Sequence, residues 1–229
     1  MTKPHIHREG RNSIVGLVVL LFILNITVFL IHFWHNSQLW NIVFALALFI
    51  TAGLLIFVAY FFRNPERISE VEDPDFVIAP ADGRVVVIEP VHEDEYFHDD
   101  RLQLSIFMSP LNVHANWYPI EGDILVSEHQ KGRHKGAWLP KSSSENERSL
   151  VVIETPSKQQ IAVRQVAGAM ARRIVTYAKA GKHAQRNTHM GFIKLGSRVD
   201  IYLPLNTEIF VALGEAVRGN ETILGRLNP

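Results

Sequence analysis

The sequence predicts a mainly β, antiparallel domain preceded by an N-terminal transmembrane α-helical hairpin. Two observations support this prediction. Residues 12–62 contain no Lys, Arg, Asp or Glu, whereas the rest of the chain alternates short β-branched and aliphatic runs with turn residues, a pattern typical of strands. With 229 residues, the chain is long enough for one or two domains.

The uncharged stretch holds two apolar runs, from Ser13 to about Trp34 and from Leu39 to Phe62. Each reaches the length of about 20 residues that a helix needs to cross a bilayer. The connector, HNSQLWN, is polar and carries a tryptophan suited to the membrane interface. A cleaved signal peptide fits less well, because the first run is too long and a second follows it. A buried pair of soluble helices is the alternative.

Basic residues flank the two outer ends of the hairpin and are absent from its connector. They are Lys3, Arg8 and Arg11 before the first run, and Arg63 and Arg67 after the second. Because cytoplasmic flanks carry the excess of Lys and Arg, both ends are expected in the cytoplasm. The sequence therefore predicts a protein of the cell membrane with its soluble domain on the cytoplasmic side.

The predicted domains are a cytoplasmic segment 1–12, a membrane hairpin 13–62 and a cytoplasmic β-rich domain 63–229. The first 62 residues hold three of the 23 Lys and Arg and one of the 23 Asp and Glu, which leaves 20 basic and 22 acidic residues in the domain. This near neutrality gives no reason to expect a nucleic-acid partner. Cysteine is absent, which excludes disulfides, thiolate catalysis and Cys-ligated metals.

Several segments of the domain are strand-like. In FVIAPADGRVVVIEPV, the Asp82–Gly83 pair between two β-rich runs predicts a hairpin, and GFIKLGSRVD reads as part of one strand with Gly196 and Ser197 at its centre. A glycine weakens a strand interior, so a bulge or a close backbone approach is expected there. ARRIVTYAKAG fits a short helix or a strand. GEAVRGNETIL resembles the hairpins of lipoyl-like, barrel-sandwich domains, which specifies the β-fold class.

The segment QKGRHKGAWLPKSSSENERS has weak periodicity and reads as a long loop, a kind of segment that is often functional. Lys131, Arg133, His134, Lys135 and Lys141 make this loop basic. A solvated loop is the ordinary interpretation. In a membrane-anchored protein, such a loop can also contact anionic lipid headgroups.

Two titratable residues are candidates for chemistry. Asp82 is either a catalytic acid or base or only the turn residue before Gly83. His114, in SPLNVHANWYP, is either poised for proton transfer or a structural histidine. The remaining histidines of the domain lack HxH or HxxxH spacing, so no metal site is expected.

Taken in order, these segments resemble the short class of phosphatidylserine decarboxylase proenzymes. The matching pieces are APADGRV, SPLNVHANWYPIEG, ENER, RQVAGAMARRIV and GFIKLGSRVD, and they span Pro65 to Leu227. The resemblance implies self-cleavage between Gly196 and Ser197, with Ser197 converted into a covalent pyruvoyl group and no metal required. Gly196 would leave room for the Ser197 hydroxyl to approach the scissile carbonyl.

The resemblance also implies the substrate, phosphatidylserine in the bilayer. The pyruvoyl carbonyl would form a Schiff base with the substrate amine, and loss of carbon dioxide would give phosphatidylethanolamine. The two cleavage products would stay associated. A homodimer is left open by the sequence.

This sequence departs from the family pattern at the histidine that is linked to processing. Longer relatives carry a second histidine three residues after the first, and the first is linked to decarboxylation and the second to processing. Here His114 matches the first histidine, Trp117 occupies the second position, and Asp82 matches the family aspartate. Either His114 serves both steps or another residue substitutes, with His189 as a candidate.

Two other functions compete with this interpretation. One is a non-enzymatic, membrane-anchored adaptor built on a lipoyl-like barrel, although the heptad pattern of the long helical arms usual in such adaptors is not visible. The other is a serine hydrolase using Ser197, His114 and Asp82, although the GxSxG elbow typical of one large hydrolase class is missing.

Overall fold

The computed structural model describes residues 5–35, 37–132, 146–168, 173–194 and 196–228. The chain forms two compact units, Met1–Pro65 and Glu66–Pro229. The helices are α1 Arg8–His35 and α2 Gln38–Phe61; the strands are β1 His5–Ile6, β2 Arg63–Asn64, β3 Phe76–Ile78, β4 Gly83–Glu93, β5 Asp99–Met108, β6 Ala115–Trp117, β7 Gly122–Gln130, β8 Arg148–Glu154, β9 Gln160–Ala167, β10 Arg173–Thr176, β11 His183–Ala184, β12 His189–Lys194, β13 Ser197–Leu203, β14 Glu208–Ile209, β15 Ala216–Val217 and β16 Ile223–Arg226.

The first unit contains the two predicted helices, and both are long and apolar enough to cross a membrane. Helix α1 begins at Arg8, five residues before the predicted span, so its first turns include charged residues. Only 6% of the most apolar window of α1 and 0% of that of α2 is buried. This exposure argues against the alternative of a buried soluble pair, because most of the apolar surface has no protein cover within the unit.

One polar contact joins the helices inside their apolar stretches. Asn25 Nδ2 donates to Thr51 Oγ1 at 2.8 Å and to the Leu21 carbonyl at 2.7 Å. In hydrocarbon, a side-chain amide has no water to bond, so such interhelical bonds help to pair helices. The sequence alone does not predict this contact.

The second unit is built of three sheets, and every strand pairing among the described residues is antiparallel, which confirms the predicted class. The eight-stranded sheet has the order β11-β7-β8-β9-β13-β5-β4-β15. Two three-stranded sheets have the orders β10-β12-β6 and β14-β16-β3. Strand β13 lies between β9 and β5, and all seven of its residues are buried.

The two faces of β13 differ in chemistry, since alternate residues of a strand face opposite sides. One face contributes Val199, Ile201 and Leu203 to the main hydrophobic core. The other face carries Tyr202 and a buried ion pair between Arg198 and Asp200, with Nε and Oδ1 2.8 Å apart. Burial and the nearby Asp200 raise the pKa of Tyr202, so its hydroxyl stays protonated near neutral pH.

The predicted hairpin at Asp82–Gly83 is wrong. Strand β3 pairs with β16, whereas β4 pairs with β5 and β15, so residues 79–82 connect strands of different sheets. Gly83 does not have the positive φ that a type I′ turn requires. It is needed because a side chain there would collide with the Phe107 carbonyl on β5.

GFIKLGSRVD is also not one strand. It forms β12 and β13, which belong to different sheets, and Gly196 lies at the change of direction between them. In ARRIVTYAKAG, whose helical or extended form was open, residues 173–176 form strand β10. Most of the predicted long loop, residues 133–145, lies outside the described residues.

Candidate active site

The Gly196–Ser197 bond lies where the chain passes from the β10-β12-β6 sheet into the eight-stranded sheet. Gly196 has φ +64°, a left-handed conformation that strongly favours glycine. Ser197 begins β13, directly opposite Met108 on β5 and Ala167 on β9. Its side chain is fully buried.

The structure gives a further reason for glycine at position 196, beside the expected room for the Ser197 hydroxyl. A Cβ added at this position would meet nothing within 4 Å among described residues other than its chain neighbours, so packing against the rest of the fold does not require glycine. Backbone conformation requires it, because a left-handed residue with a Cβ is strained whatever space surrounds it.

The Gly196 carbonyl has a backbone donor. Its oxygen accepts a hydrogen bond from the Gly168 N–H at 2.9 Å. Donors at this distance stabilise negative charge on a carbonyl oxygen when a nucleophile adds to the carbon. The bond before Ser197 therefore has one element of an oxyanion hole in place.

The Ser197 hydroxyl lies against a thioether. Its Oγ is 3.2 Å from Met108 Sδ, to which it donates, and Asn116 Nδ2 lies 3.7 Å from the same sulfur. A thioether is a weak acceptor and cannot take up a proton near neutral pH. Met108 can therefore orient the hydroxyl, but another group must deprotonate it.

Asn116 belongs to a buried chain of side-chain hydrogen bonds. Its Oδ1 accepts from Gln165 Nε2 at 2.7 Å, and Gln165 Oε1 accepts from Ser149 Oγ at 2.7 Å. All three residues are fully buried. Sequence reasoning missed them. One signal was available: Gln165 occupies an inward position in the strand pattern QIAVRQVA.

His114 precedes β6 and is fully buried. Its Nδ1 is 3.0 Å from the Asn112 carbonyl oxygen, which can only accept, so Nδ1 carries the proton of the neutral ring. Nε2 is then the nitrogen with the lone pair and can act as a base. The His114 carbonyl accepts from Ile193 N at 3.2 Å, which fixes His114 near the end of β12 that leads to Ser197.

Asp82 is buried in an ion pair. Its two carboxylate oxygens contact the two terminal nitrogens of Arg67, and Oδ1 also accepts from Gly219 N at 2.8 Å. Arg67 was counted in the sequence as a charge flanking the membrane span. Its side chain is instead buried, and its guanidinium lies 5.4 Å from the centre of the Trp117 ring.

Trp117, at the position where longer relatives have a histidine, is a packed aromatic residue. Its ring lies 5.1 Å from the ring of His189 in an edge-on contact. His189 is opposite Trp117 on β12 and begins that strand, whereas the Gly196–Ser197 bond follows its other end. His189 therefore approaches the Trp117 position but not the end of β12 near Ser197.

Two further sequence predictions concern charges and metals. Of the five residues singled out as making the predicted loop basic, Lys131 lies within the described residues; it lines a cavity of about 620 Å³ together with His129, Glu147 and Arg173. The other four lie outside them. In the described part of the chain, no group of three or more His, Asp or Glu side chains is arranged to hold a metal ion.

Comparisons with known proteins support the family that the sequence motifs indicate. A family model described as phosphatidylserine decarboxylase matches residues 54–225. The chain is 48% identical over 231 residues to a protein of Phocaeicola vulgatus, covering 99% of this chain and 97% of that one. It is 48% identical over 227 residues to one of Bacteroides fragilis, with coverage of 99% and 97%, and 43% identical over 219 residues to one of Cytophaga hutchinsonii, with coverage of 96% and 97%.

Each of these relatives is named phosphatidylserine decarboxylase proenzyme. The family model covers well over half of the chain, and the relatives align over nearly the whole length of both partners. The chain belongs to the phosphatidylserine decarboxylase family.

Proposed function

We propose that this chain is a self-processing phosphatidylserine decarboxylase whose Ser197 becomes a pyruvoyl group after cleavage at Gly196–Ser197. The geometry of that bond carries the proposal: a left-handed glycine, whose carbonyl oxygen already accepts a backbone N–H, is followed by a fully buried serine. The name that the relatives share supports both the substrate and the existence of a precursor.

Cleavage begins when Ser197 Oγ attacks the Gly196 carbonyl carbon. The negative charge that develops on the Gly196 oxygen is stabilised by the Gly168 N–H. The C–N bond then breaks, the Ser197 nitrogen takes a proton, and an ester links Gly196 to Oγ. A base next removes the Cα proton of residue 197, and the Cβ–Oγ bond breaks, leaving a carboxylate on Gly196 and dehydroalanine at 197. Addition of water and loss of ammonia convert dehydroalanine into the pyruvoyl group.

His114 is the base that the geometry supports best. Its neutral ring has the lone pair on Nε2, and its backbone is bonded to the end of β12 that leads to the scissile bond. A serine hydroxyl is a weak nucleophile until a base takes its proton, and the acceptor it now has, Met108, cannot do so. We assign His114 to processing, to decarboxylation or to both, and His189 to neither.

The buried position of Ser197 suits the pyruvoyl group that would form from it. Ser197 would hold the pyruvoyl group, whose carbonyl would supply the electrophile for the substrate amine and the electron sink for loss of carbon dioxide. Ser197 is fully buried, so the chain excludes bulk water from this position. The chemistry needs no metal.

Asp82 enters the proposal as a positioning residue. Both of its oxygens are engaged by Arg67, and the Gly219 N–H adds a third bond, which fits a structural anchor better than a proton-transfer group. Arg67 in turn packs against Trp117 on β6, the strand that follows His114. Loss of the Asp82 carboxylate would leave the buried guanidinium with one carboxylate partner, Glu221, whose Oε1 lies 3.2 Å from Nε. Because a buried charge that loses a partner is costly, this loss should destabilise the fold.

The helical hairpin keeps this chemistry beside an insoluble substrate. We assign residues 13–62 to the membrane and the decarboxylase domain to the cytoplasmic side, an orientation that the basic residues flanking the hairpin support. The apolar character of both helices supports membrane association.

Ser197→Ala tests the cleavage. This variant should remain one chain of 229 residues and lack decarboxylation, because it has no nucleophile and no pyruvoyl precursor. Intact mass, labelling of carbonyls with hydroxylamine, and conversion of phosphatidylserine in mixed micelles are the measurements. Ser127→Ala, which removes a hydroxyl bonded to the Ala178 carbonyl elsewhere in the domain, should be cleaved and active like the parent. An active parent protein that is a single uncleaved chain would contradict the proposal.

His114→Gln tests the base. Removing a general base slows its step by about 10²–10⁴-fold, so either cleavage or turnover per pyruvoyl group, or both, should fall by that amount. Pulse–chase gels measure cleavage, and release of carbon dioxide measures turnover. His183→Gln, at an exposed histidine paired with Asp123, is the control. Parent rates for both steps in His114→Gln would remove His114 from the mechanism.

Gly196→Ala tests the left-handed conformation. Compared in a Ser197→Ala background, Gly196→Ala and Gly181→Ala should each lower the free energy of unfolding by about 1–2 kcal/mol, because both glycines have positive φ and open space. With Ser197 present, only Gly196→Ala should slow the appearance of the two fragments. Equal cleavage rates in the two variants would show that the backbone conformation at 196 does not matter for cleavage.

A further inference from the structure

The donor to the Gly196 carbonyl belongs to a peptide group that is itself held at its other end. The N–H of Gly168 and the C=O of Ala167 form one planar peptide unit. The N–H donates to the Gly196 oxygen at 2.9 Å, and the C=O accepts from Asn146 Nδ2 at 2.7 Å. Asn146 is fully buried and belongs to the ENER segment, for which the proposed function has no role.

We infer that Asn146 is a positioning residue for self-cleavage, acting through the Ala167–Gly168 peptide on the Gly196 carbonyl; this inference rests on the proposed function. A donor on the Ala167 oxygen fixes the plane of the peptide and therefore the direction of the Gly168 N–H. It also polarises that N–H, because hydrogen bonds in a chain strengthen one another. The Ala167 N–H, bonded to the Glu147 carbonyl at 2.9 Å, holds the same segment from the other side.

Two substitutions of Asn146 distinguish a positioning role in cleavage from an effect on the stability of the fold. Asn146→Ala removes the donor at every pH. Asn146→Asp keeps the shape but donates only when its carboxyl is protonated, and burial raises the pKa of such a carboxyl. Removing a direct oxyanion donor costs about 10²–10³-fold, so we expect a smaller loss, about tenfold, for a residue that acts through a peptide.

The full chain is made by cell-free translation in lipid nanodiscs. Pulse–chase then measures the rate at which fragments 1–196 and 197–229 appear. The rate of Asn146→Asp relative to the parent should rise as pH falls between about 8 and 5, while that of Asn146→Ala stays low throughout. Ser127→Ala should match the parent. A pH-independent ratio for Asn146→Asp, or parent rates for both variants, overturns the inference. Failure of the parent to cleave would instead overturn the proposed function.

A separate observation concerns charge beside the cavity lined by Lys131 and Arg173. Arg173 on β10 lies directly opposite Lys194 on β12. Opposed side chains of an antiparallel pair share one face of the sheet, and like charges there are destabilising. Neither residue forms an ion pair with another described residue. Glu147, the one acidic residue among the described residues that line the cavity, already contacts His129.

We propose that Arg173, Lys194 and Lys131 bind the phosphate of the substrate headgroup. An anion between these cations would relieve their repulsion. The location suits a headgroup, because Lys194 ends the strand that leads to Gly196, and Glu147 at the cavity wall is bonded through its carbonyl to Ala167, opposite Ser197.

Arg173→Gln and Lys194→Gln test this site in the processed protein, with phosphatidylcholine vesicles that contain a minor fraction of phosphatidylserine. KM should rise about tenfold, as for loss of one bond to a charged group, and competitive inhibition by glycerophosphoserine and by inorganic phosphate should weaken. Lys182→Gln, at an exposed lysine, is the control. Parent KM values in both variants, or inhibition by phosphate that is not competitive with the lipid, would overturn the site without affecting the Ser197→Ala result.

Discussion

The hydrogen bond from Gly168 N–H to the Gly196 carbonyl ties together the two sheets between which the candidate scissile bond lies. Gly196 must take a left-handed conformation to turn the chain from β12 into β13. That turn brings its carbonyl to the end of β9, while Ser197 begins the pairing with β5 and β9. The conformation that permits the change of sheet therefore also aligns the carbonyl with a donor. The fold and the proposed cleavage therefore both require the left-handed conformation of Gly196.

Burial makes the surrounding polar groups depend on one another. Inside a protein, an unpaired polar group is costly, so a buried network must be complete to be tolerated. The chain from Ser149 through Gln165 to Asn116 connects three strands and ends at the sulfur that the Ser197 hydroxyl contacts. Gly191 belongs to this arrangement, since a Cβ there would lie 2.7 Å from the Gln165 amide nitrogen. Such a site cannot form before β6, β8, β9 and β13 have assembled, so cleavage should require the folded domain.

The sequence predicted those features that depend on local pattern and missed those that depend on distant contacts. Apolar runs of sufficient length predicted α1 and α2, and the order of motifs predicted the family. Asp82–Gly83 was mistaken for a hairpin turn because the same dipeptide also suits a close approach to Phe107, and only the partner strand distinguishes the two. Gln165 had an inward position in its strand pattern and Asn146 lay in the ENER motif, but neither signal revealed a role, because the roles depend on peptides and side chains far away in the sequence. The backbone reason for glycine at 196 follows from its φ angle, which depends on the change of sheet and not on the local sequence pattern.

The position of β13 also determines whether the two fragments can separate after cleavage. A fragment starting at Ser197 would contribute β13, and both neighbours of this strand, β5 and β9, belong to the other fragment. The same fragment supplies β15, which pairs with β4, and β16, which pairs with β3. All seven residues of β13 are buried, and three of them lie in the main core. Separating the fragments would expose that core and break these four strand pairings, so the two chains should stay together without a disulfide. An N-terminus formed at 197 by the proposed cleavage would be held between β5 and β9, where burial would keep it away from bulk water.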